Sequence, residues 1–337
     1  MPHRIHRLSP LVALTALTAL TACSEPEPAA LPPTEPVAAE PPVEPPVEPP
    51  PAEPTPAPPK AEPAPMTEQI VVKAGAEDFK PCAPGLPPGC EMAIMEGDPA
   101  GDGVFSVRFR LADTFVMPPH HHPRSERVTI VSGKVGVGFG DTLDKAKGQV
   151  FSAGDFYVNA REAHHYVWVV EPAVLQINGV GPWQAIQLTT IAPPRPPDSA
   201  IREAAMPEGT TQLVVKADAT QFGPCPPGLP PGCEMAAMEG DAREPMFFST
   251  RFRAKAGFTM PPHHHPMPER VTIVSGKVGV GFGDTLDKAK GQVFSAGDFY
   301  VNPPGKHHFV WVEQEAVLQI NGVGPWKAIP VKPVAAP

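Results

Sequence analysis

The side chains with the clearest chemistry in this sequence are three histidines and one glutamate that occur as a set, twice. Corresponding members lie 143 residues apart, and the two sets are His120, His122, Glu126 and His165, then His263, His265, Glu269 and His308. Imidazole and carboxylate groups suit iron, manganese, zinc, nickel or copper at a site with open coordination positions. Ten of the 12 histidines fall in four short clusters around these positions. The sequence therefore predicts one divalent transition metal in each half.

Strands are the elements that could bring such ligands together. Residues i and i+2 of a strand share a face, so His120 and His122 point the same way. A turn containing Pro123 lets Glu126 face back, and His165 arrives from a later strand. Four neighbouring histidines have the opposite parity, and we interpret them as surface residues or residues behind the ligands: His121, His164, His264 and His307.

Strand patterns dominate both halves. Apolar and polar residues alternate over residues 105–111, and short β-branched or aromatic runs lie at 128–131 and 156–158. Glycine and aspartate separate these runs, and helical periodicity is weak. The pattern predicts an all-β fold of the sandwich or barrel type.

The two halves are copies of one another. Residues 82–183 and 225–326 align without a gap, and residues 126–159 are identical to residues 269–302. About 120 residues per copy suit one domain each. We predict a first barrel at residues 66–192, a proline-rich linker at 193–211 with a short helix near 200–205, and a second barrel at 212–332.

The spacing of the ligands resembles the two sequence motifs of the cupin family. His120 to Glu126, followed by Gly133, resembles G-x5-H-x-H-x3-4-E-x6-G without its first glycine. The second motif is G-x5-P-x-G-x2-H-x3-N, and the second copy matches it at Gly297, Pro303, Gly305 and His308, with Val312 in place of the final asparagine. Each copy is also similar to small bacterial cupins of uncharacterised function that share P-P-H-x-H-P, G-x-G-D and G-x-G-P-W.

The first copy departs further from the second motif. Gly154 and His165 match it, but Ala160 and Glu162 replace the proline and the glycine. If this turn requires a positive φ, a glutamate costs stability there and loosens the loop that carries His165. We therefore expect weaker metal retention in the first copy.

The resemblance to cupins implies fold, cofactor and activity together. It implies two tandem double-stranded β-helix (jelly-roll) barrels, each binding one divalent transition metal (Fe, Mn, Zn, Ni or Cu) through three histidines and one glutamate. Two-barrel cupins include oxalate decarboxylases and flavonol dioxygenases. A dioxygenase or decarboxylase acting on a small anionic molecule is the corresponding expectation.

A polar strand face offers residues that could hold such an anion. Its arginines are Arg108, Arg110, Arg251 and Arg253, and its amides are Gln176, Asn178, Gln319 and Asn321. If this face lines the barrel mouth, Arg108 or Arg251 could hold a carboxylate through two hydrogen bonds. Antiparallel sheets favour the alternative, a solvent-facing side. Trp183 and Trp326 are interpreted as packing residues.

The cysteines indicate an oxidising compartment. The phrase P-C-x-P-G-L-P-P-G-C occurs in both copies and contains Cys82 and Cys90, then Cys225 and Cys233. Its proline and glycine residues can fold the chain back, so one disulfide per copy is favoured over free thiols or metal ligation. Spacing alone does not establish the pairing.

The first 23 residues resemble a bacterial lipoprotein signal. Arg4 and Arg7 precede a short apolar run at residues 8–20, which is too short to span a bilayer comfortably. The sequence L-T-A-C ending at Cys23 resembles a lipobox, which implies lipidation of Cys23 and anchoring at the periplasmic face of the outer membrane. The alternative is a simple signal that happens to end at a cysteine.

Residues 24–65 have a composition that cannot bury a core. They contain 18 prolines and eight glutamates against one lysine and no aromatic residue. This composition predicts an extended, disordered polyproline II tether, with a P-x-x-P ligand as the alternative. The segment carries −7 of the formal charge of −9, so the remainder is only mildly acidic and shows no nucleic-acid-binding pattern.

Three functional classes remain open from the sequence. The first is a metal-dependent enzyme acting on a small molecule. The second is a periplasmic lipoprotein that binds metal or ligand without turnover, and the third is a protein in which the metals only stabilise the fold. The sequence leaves homo-oligomer formation open.

Overall fold

The computed structural model describes residues 66–188 and 199–332. The predicted signal, Cys23, the tether at 24–65 and the proline-rich start of the linker lie outside the described residues. The first copy contains β1 (Ile70–Val72), β2 (Lys80–Pro81), β3 (Cys90–Glu96), β4 (Val104–Leu111), β5 (Val116–His121), β6 (Glu126–Phe139), β7 (Gln149–Ser152), β8 (Phe156–Asn159), β9 (His165–Val180) and β10 (Ile186–Gln187). The second copy contains β11 (Gln212–Val215), β12 (Gly223–Pro224), β13 (Cys233–Glu239), β14 (Phe247–Ala254), β15 (Thr259–His264), β16 (Glu269–Phe282), β17 (Gly291–Ser295), β18 (Phe299–Asn302), β19 (His308–Val323) and β20 (Ile329–Pro330).

The strands form two antiparallel sheets of ten strands each, here called barrel 1 and barrel 2. In barrel 1 the order is β11-β8-β6-β9-β4-β3-β2, with β5 beside β9 and β10, and β7 beside β6. The long strands β6 and β9 pair along most of their length, and the register shifts near Gly133. Gly133 has a φ of 75°, a conformation that favours glycine. On the two sides of this irregularity β6 pairs first with β8 and then with β7, and β9 pairs first with β5 and then with β4.

Alternating strand residues fill the interior of each barrel. In β4, Phe105, Val107, Phe109 and Leu111 are all buried in the core of barrel 1. The equivalent strands of barrel 2 build a separate core of the same kind. The prediction of an all-β protein with two jelly-roll barrels is therefore confirmed.

The first strand of each copy is exchanged between the barrels. β1 pairs with β18 of barrel 2, with Ile70 opposite Val301, and β11 pairs with β8 of barrel 1, with Leu213 opposite Val158. The boundaries predicted from the sequence give each copy one continuous barrel, whereas the sheets take these two strands from the other copy. Apolar residues of both barrels pack around each exchanged strand. The exchange joins the two barrels, and their described residues fall in one compact unit.

Buried ion pairs also join the barrels. Arg127 of β6 contacts Glu239 of β13 through two hydrogen bonds of 2.5 and 2.7 Å, and it also contacts Glu203 at 2.7 Å. Arg270 makes the equivalent pair with Glu96, at 2.6 and 2.7 Å. Among the described residues, Arg127 therefore has two carboxylate partners and Arg270 has one.

The predicted helix near residues 200–205 is wrong. Arg202 instead forms an isolated parallel bridge with Met246, and its carbonyl oxygen accepts a hydrogen bond of 2.7 Å from Phe247. The backbone of this segment makes its hydrogen bond with the edge of β14, so a helical turn is not needed. Within the described ranges, no helix has the length and hydrophobicity that crossing a membrane requires.

The two disulfides predicted from the repeated cysteine phrase are confirmed. Cys82 is bonded to Cys90, and Cys225 is bonded to Cys233. Each bond closes a short loop over the barrel interior. The loop of barrel 2 places Leu229 against the cavity described below.

Candidate metal centre

Backbone carbonyl groups orient the three histidines of each set. Every Nδ1 atom lies 2.8–3.0 Å from a carbonyl oxygen, and the pairs are His120 with Pro118, His122 with Gln184, His165 with Ala163, His263 with Pro261, His265 with Lys327 and His308 with Lys306. An Nδ1–H that donates to a carbonyl leaves Nε2 as the lone-pair donor. This is the usual arrangement behind metal-binding imidazoles.

The three rings of each set converge. Their ligand atoms lie within 4.8 Å of one another in both barrels. Strand pairing brings them together, because His120 lies opposite His165 in the β5–β9 ladder and His263 lies opposite His308 in the β15–β19 ladder. The two histidine groups predicted from the sequence are thus assembled in the structure.

The glutamate of each set completes the group. Glu126 lies 3.5 Å from His122 Nε2 and 3.4 Å from His165 Nε2, and the two distances at Glu269 are both 3.4 Å. Two donors that are each about 2.0–2.2 Å from one ion are separated by about 3–3.5 Å. The spacing therefore fits donors that share a metal.

Buried nitrogen atoms without partners provide a second test of this fit. The Nε2 atoms of His122, His165, His265 and His308 are buried and find no hydrogen-bond partner among the described residues. An unsatisfied buried polar atom is costly and rare in folded proteins. A divalent ion held by these nitrogens would remove that cost at all four positions.

Burial keeps the imidazoles in the neutral form that metals bind. It lowers the pKa of His122 to about 4 and that of His263 to about 3. Burial alone would raise the pKa of Glu126, but the positive charge that His122 and His165 can carry lowers it to about 2. The pKa of Glu269 is lowered in the same way. At neutral pH the imidazoles of His120, His122, His263 and His265 are therefore neutral, and both glutamates are carboxylates.

Several residues that support the site were missed by the sequence analysis. Asn159 donates a hydrogen bond of 3.0 Å to Glu126, and Asn302 donates one of 2.9 Å to Glu269. Trp183 stacks on His122 with a centroid distance of 4.8 Å, so its packing role includes holding a ligand. The asparagines lie opposite the glutamates in the strand ladders, a pairing that the sequence does not state.

An apolar cavity of about 60 Å³ opens beside the ligands of barrel 2. Besides the ligands and Tyr300, its walls are aliphatic, thioether and aromatic side chains, and no cationic residue is among them. Burial and the charge of Glu269 raise the pKa of Tyr300 well above its ordinary value, so this residue stays a neutral phenol. All 14 lining residues have the same identity 143 positions earlier, in barrel 1.

The residues predicted to hold a substrate anion do not reach this cavity. Phe252 and Leu318 line it, so Arg251 and Gln319, which alternate with them, lie on the opposite face of the sheet. That face is turned toward the other barrel: Gln176 donates a hydrogen bond of 2.7 Å to Thr272 across the interface.

The same correction applies to the other members of that group. The side chains of Ser106 and Ser249 donate hydrogen bonds to Asn178 and Asn321, and Arg108 pairs with Glu77 and Gln176. Arg110 and Arg253 pair with Glu91 and Glu234 nearer the surface. Strand parity was right. The second face meets the other barrel rather than the barrel mouth, and its end at Arg110 and Arg253 is partly exposed to solvent.

The residues that line the two cavities are identical, but the loops at their openings, here called the rims, differ. Glu162 has a φ of 59°, and it is the only described residue other than glycine with a positive φ. Its carboxylate lies 2.8 Å from His121 Nδ1. Gly305 takes the equivalent place in barrel 2 with a φ of 70°. The turn before the last histidine ligand therefore has a positive φ in both barrels, as the sequence predicted.

Comparison with known proteins supports the fold. No family model matches the chain. A salicylate 1,2-dioxygenase from Pseudoaminobacter salicylatoxidans, in a structure with gentisate, superposes with a TM-score of 0.55 at 14% identity, covering 77% of this chain and 85% of that one. An oxalate decarboxylase from Lactobacillus farciminis, in a formate complex, gives a TM-score of 0.51 at 13% identity, covering 79% and 89%.

Among curated sequences, germin-like protein 3-1 of Oryza sativa subsp. japonica is 34% identical over 110 residues. The match covers 30% of this chain, and the chain spans about half (49%) of that relative's length. The fold and the repeated ligand groups together place the described chain in the cupin fold, in its two-barrel form.

Proposed function

We propose that the protein is a metal-dependent enzyme that binds one divalent transition metal per barrel and acts on a small molecule entering the apolar cavity. The convergence of three imidazoles and one carboxylate in each barrel carries this proposal. Four protein ligands leave open positions on a six-coordinate ion, where the metal would supply Lewis-acid or redox chemistry. The dioxygenase and decarboxylase classes expected from the sequence both use such a site.

The cavity favours a small neutral molecule over the anion expected from the sequence. Apart from the proposed metal, this cavity offers a buried anion no cationic partner, because no arginine or lysine lines it. The indole nitrogen of Trp326 is buried and has no hydrogen-bond partner among the described residues. A neutral compound with one hydrogen-bond acceptor fits this combination.

The first experiment is metal analysis of the full chain purified from its native host. We expect close to two ions per chain. The double variants His120→Ala/His122→Ala and His263→Ala/His265→Ala should each lose one ion and retain the other. Unchanged metal content in either variant would contradict the assignment of that site. A screen of small neutral compounds and matched carboxylates under air then separates turnover from binding.

A non-catalytic role as a metal- or ligand-binding lipoprotein is the second candidate, because two nearly identical copies of the site would also suit simple binding. In either case we propose that a lipid on Cys23 anchors the protein in the bacterial envelope, as the L-T-A-C sequence supports. The wild-type chain should partition into detergent, and Cys23→Ala should release it. A fully soluble wild-type chain that keeps an unmodified Cys23 would reject the anchor.

A further inference from the structure

The disulfide loop of barrel 2 brings one side chain to the metal cavity. Cys225 and Cys233 close the loop 226–232, and their Cα atoms lie 5.7 Å apart. Five of the seven residues in this loop are exposed to solvent. Leu229, at its centre, is half-buried and lines the cavity beside the ligands. Leu229 therefore lies between solvent and the metal centre.

The other partly exposed walls of the cavity are held by different contacts. Three of them lie on β13, β14 and β19, and they are Met235, Phe252 and Val310. Trp326 stacks on the ligand His265 with a centroid distance of 4.5 Å. The backbone N–H of Leu229 donates to the carbonyl oxygen of Pro226 at 3.4 Å, within its own loop. The position of Leu229 thus depends on a loop rather than on a strand ladder.

The cavity is too small for most organic molecules while Leu229 is in place. Its volume is about 60 Å³. A water molecule takes about 30 Å³ in the liquid, and an apolar cavity of about 150 Å³ holds benzene. The space beside the ligands therefore admits a molecule of about two or three non-hydrogen atoms, and it does not admit an aromatic ring.

Barrel 1 has the same residue on a loop with an additional restraint. Leu86 is the equivalent residue of the loop 83–89, and it packs against the core of barrel 1. The side chain of Gln187 on β10 donates a hydrogen bond of 2.7 Å to the carbonyl oxygen of Gly85, next to Leu86. Pro330 takes the place of Gln187 in barrel 2, and proline has no side-chain donor. The two loops therefore differ in what holds them against their barrels.

We propose that Leu229 and Leu86 limit the size of the molecules that reach the metals, an inference that rests on the metal-dependent function proposed above. With the loop in place, each site admits neutral molecules of about two or three non-hydrogen atoms. A larger molecule binds only when the loop moves away from the barrel about its disulfide. Gln187 opposes this movement in barrel 1, so barrel 2 is the more permissive site.

The test uses the full chain in detergent, loaded with Co²⁺, because the visible absorption of cobalt reports an added ligand. The background variant His120→Ala/His122→Ala confines the cobalt to barrel 2. Two neutral probes are titrated at pH 8 under nitrogen: nitric oxide, which is diatomic, and pyridine, which is an aromatic ring. We expect Leu229→Ala to strengthen pyridine binding by about tenfold or more and to leave nitric oxide binding unchanged.

The matched control is Leu86→Ala, which makes the same change in the barrel that holds no cobalt. It should leave pyridine binding unchanged, and Leu229→Met, which conserves the side-chain volume, should keep pyridine excluded. In the opposite background, His263→Ala/His265→Ala, the effects of Leu86→Ala and Leu229→Ala should be exchanged. Gln187→Leu should also strengthen pyridine binding in that background, because it removes the bond to the loop.

The outcomes separate the size limit from the metal centre itself. Equal pyridine affinity with and without Leu229→Ala, in protein that binds nitric oxide, would overturn the size limit and leave the metal centre in place. Equal gains from Leu229→Ala and Leu86→Ala would assign the effect to a general loosening and would also overturn it. Cobalt absorption that neither probe changes in any variant would reject the open metal site, and the size limit with it.

Discussion

The two metal centres of this protein share their inner walls and differ at their rims. Every residue around the cavity of barrel 2 recurs in barrel 1, including the ligands, Tyr157 and Trp183. The rim of barrel 1 carries Glu162 and Arg124, where the rim of barrel 2 carries Gly305 and Met267. A function that both barrels share is therefore assigned to the metal ligands and the apolar cavity beside them. A difference in function between the two barrels is assigned to the loops at the openings of the cavities.

The largest expected difference between the barrels concerns the ion pairs that join them. Glu96→Gln removes the one described carboxylate partner of the buried Arg270. We expect it to lower the free energy of unfolding by about 3–5 kcal/mol, the usual cost of leaving a buried charge unpaired. Glu239→Gln should cost less, because Glu203 still contacts Arg127. Urea unfolding of the two variants measures the difference.

The matched control for this comparison replaces both partners, as Glu96→Met with Arg270→Met. Because no charge is left buried, the double variant should recover most of the lost stability. Equal destabilisation by Glu96→Gln and Glu239→Gln would show that Glu203 contributes little to the pair with Arg127.

The pH dependence of the metal-free protein should be alike in the two barrels. Burial lowers the pKa of His122 to about 4 and that of His263 to about 3, below the ordinary value of 6.5. The unfolded chain thus binds protons first as the pH falls. Stability present above pH 6.5 should be lost toward pH 4 through His122 and toward pH 3 through His263, by roughly 1.4 kcal/mol for each unit of pKa difference per histidine.

Thermal unfolding between pH 7 and pH 4 measures this loss, with the metal-loaded protein as the control. Bound metal competes with protons for the same nitrogens, so it should move the loss to lower pH. An acid transition that is unchanged by metal would argue that these histidines do not bind it.

The smallest expected effect tests the rims. Glu162→Gly removes a left-handed conformation that costs a side-chain-bearing residue about 1 kcal/mol, and it gives up an exposed contact with His121 of lower value. Stability should rise slightly, and barrel 1 should hold its metal more tightly in chelator competition. Gly305→Glu should have the opposite effect in barrel 2. A loss of stability in Glu162→Gly would mean that the contact with His121 outweighs the backbone cost.

The metal centre was largely predictable from the sequence because its information is local. The i and i+2 histidines on β5 must share a face, and two repeats at one spacing marked all eight ligands. A short, turn-rich loop favoured the pairing of Cys82 with Cys90, and the structure contains this disulfide. The cavity walls and the asparagines behind the glutamates were not predictable, because they come from strands whose neighbours the sequence does not state.

The sequence by itself determined the duplication, the strand character, the ligand sets and the sharing of faces along each strand. Only the tertiary structure decided what each face meets. Arg108 and Arg251 have the parity of an outer face, but that face is buried. Arg108 donates hydrogen bonds to Glu77 and Gln176, and Arg251 donates one to the carbonyl oxygen of Gly154 in the other barrel. The exchange of β1 and β11 was undetermined for a related reason. Two nearly identical barrels offer nearly identical strand edges, and only the path of the chain between them selects one.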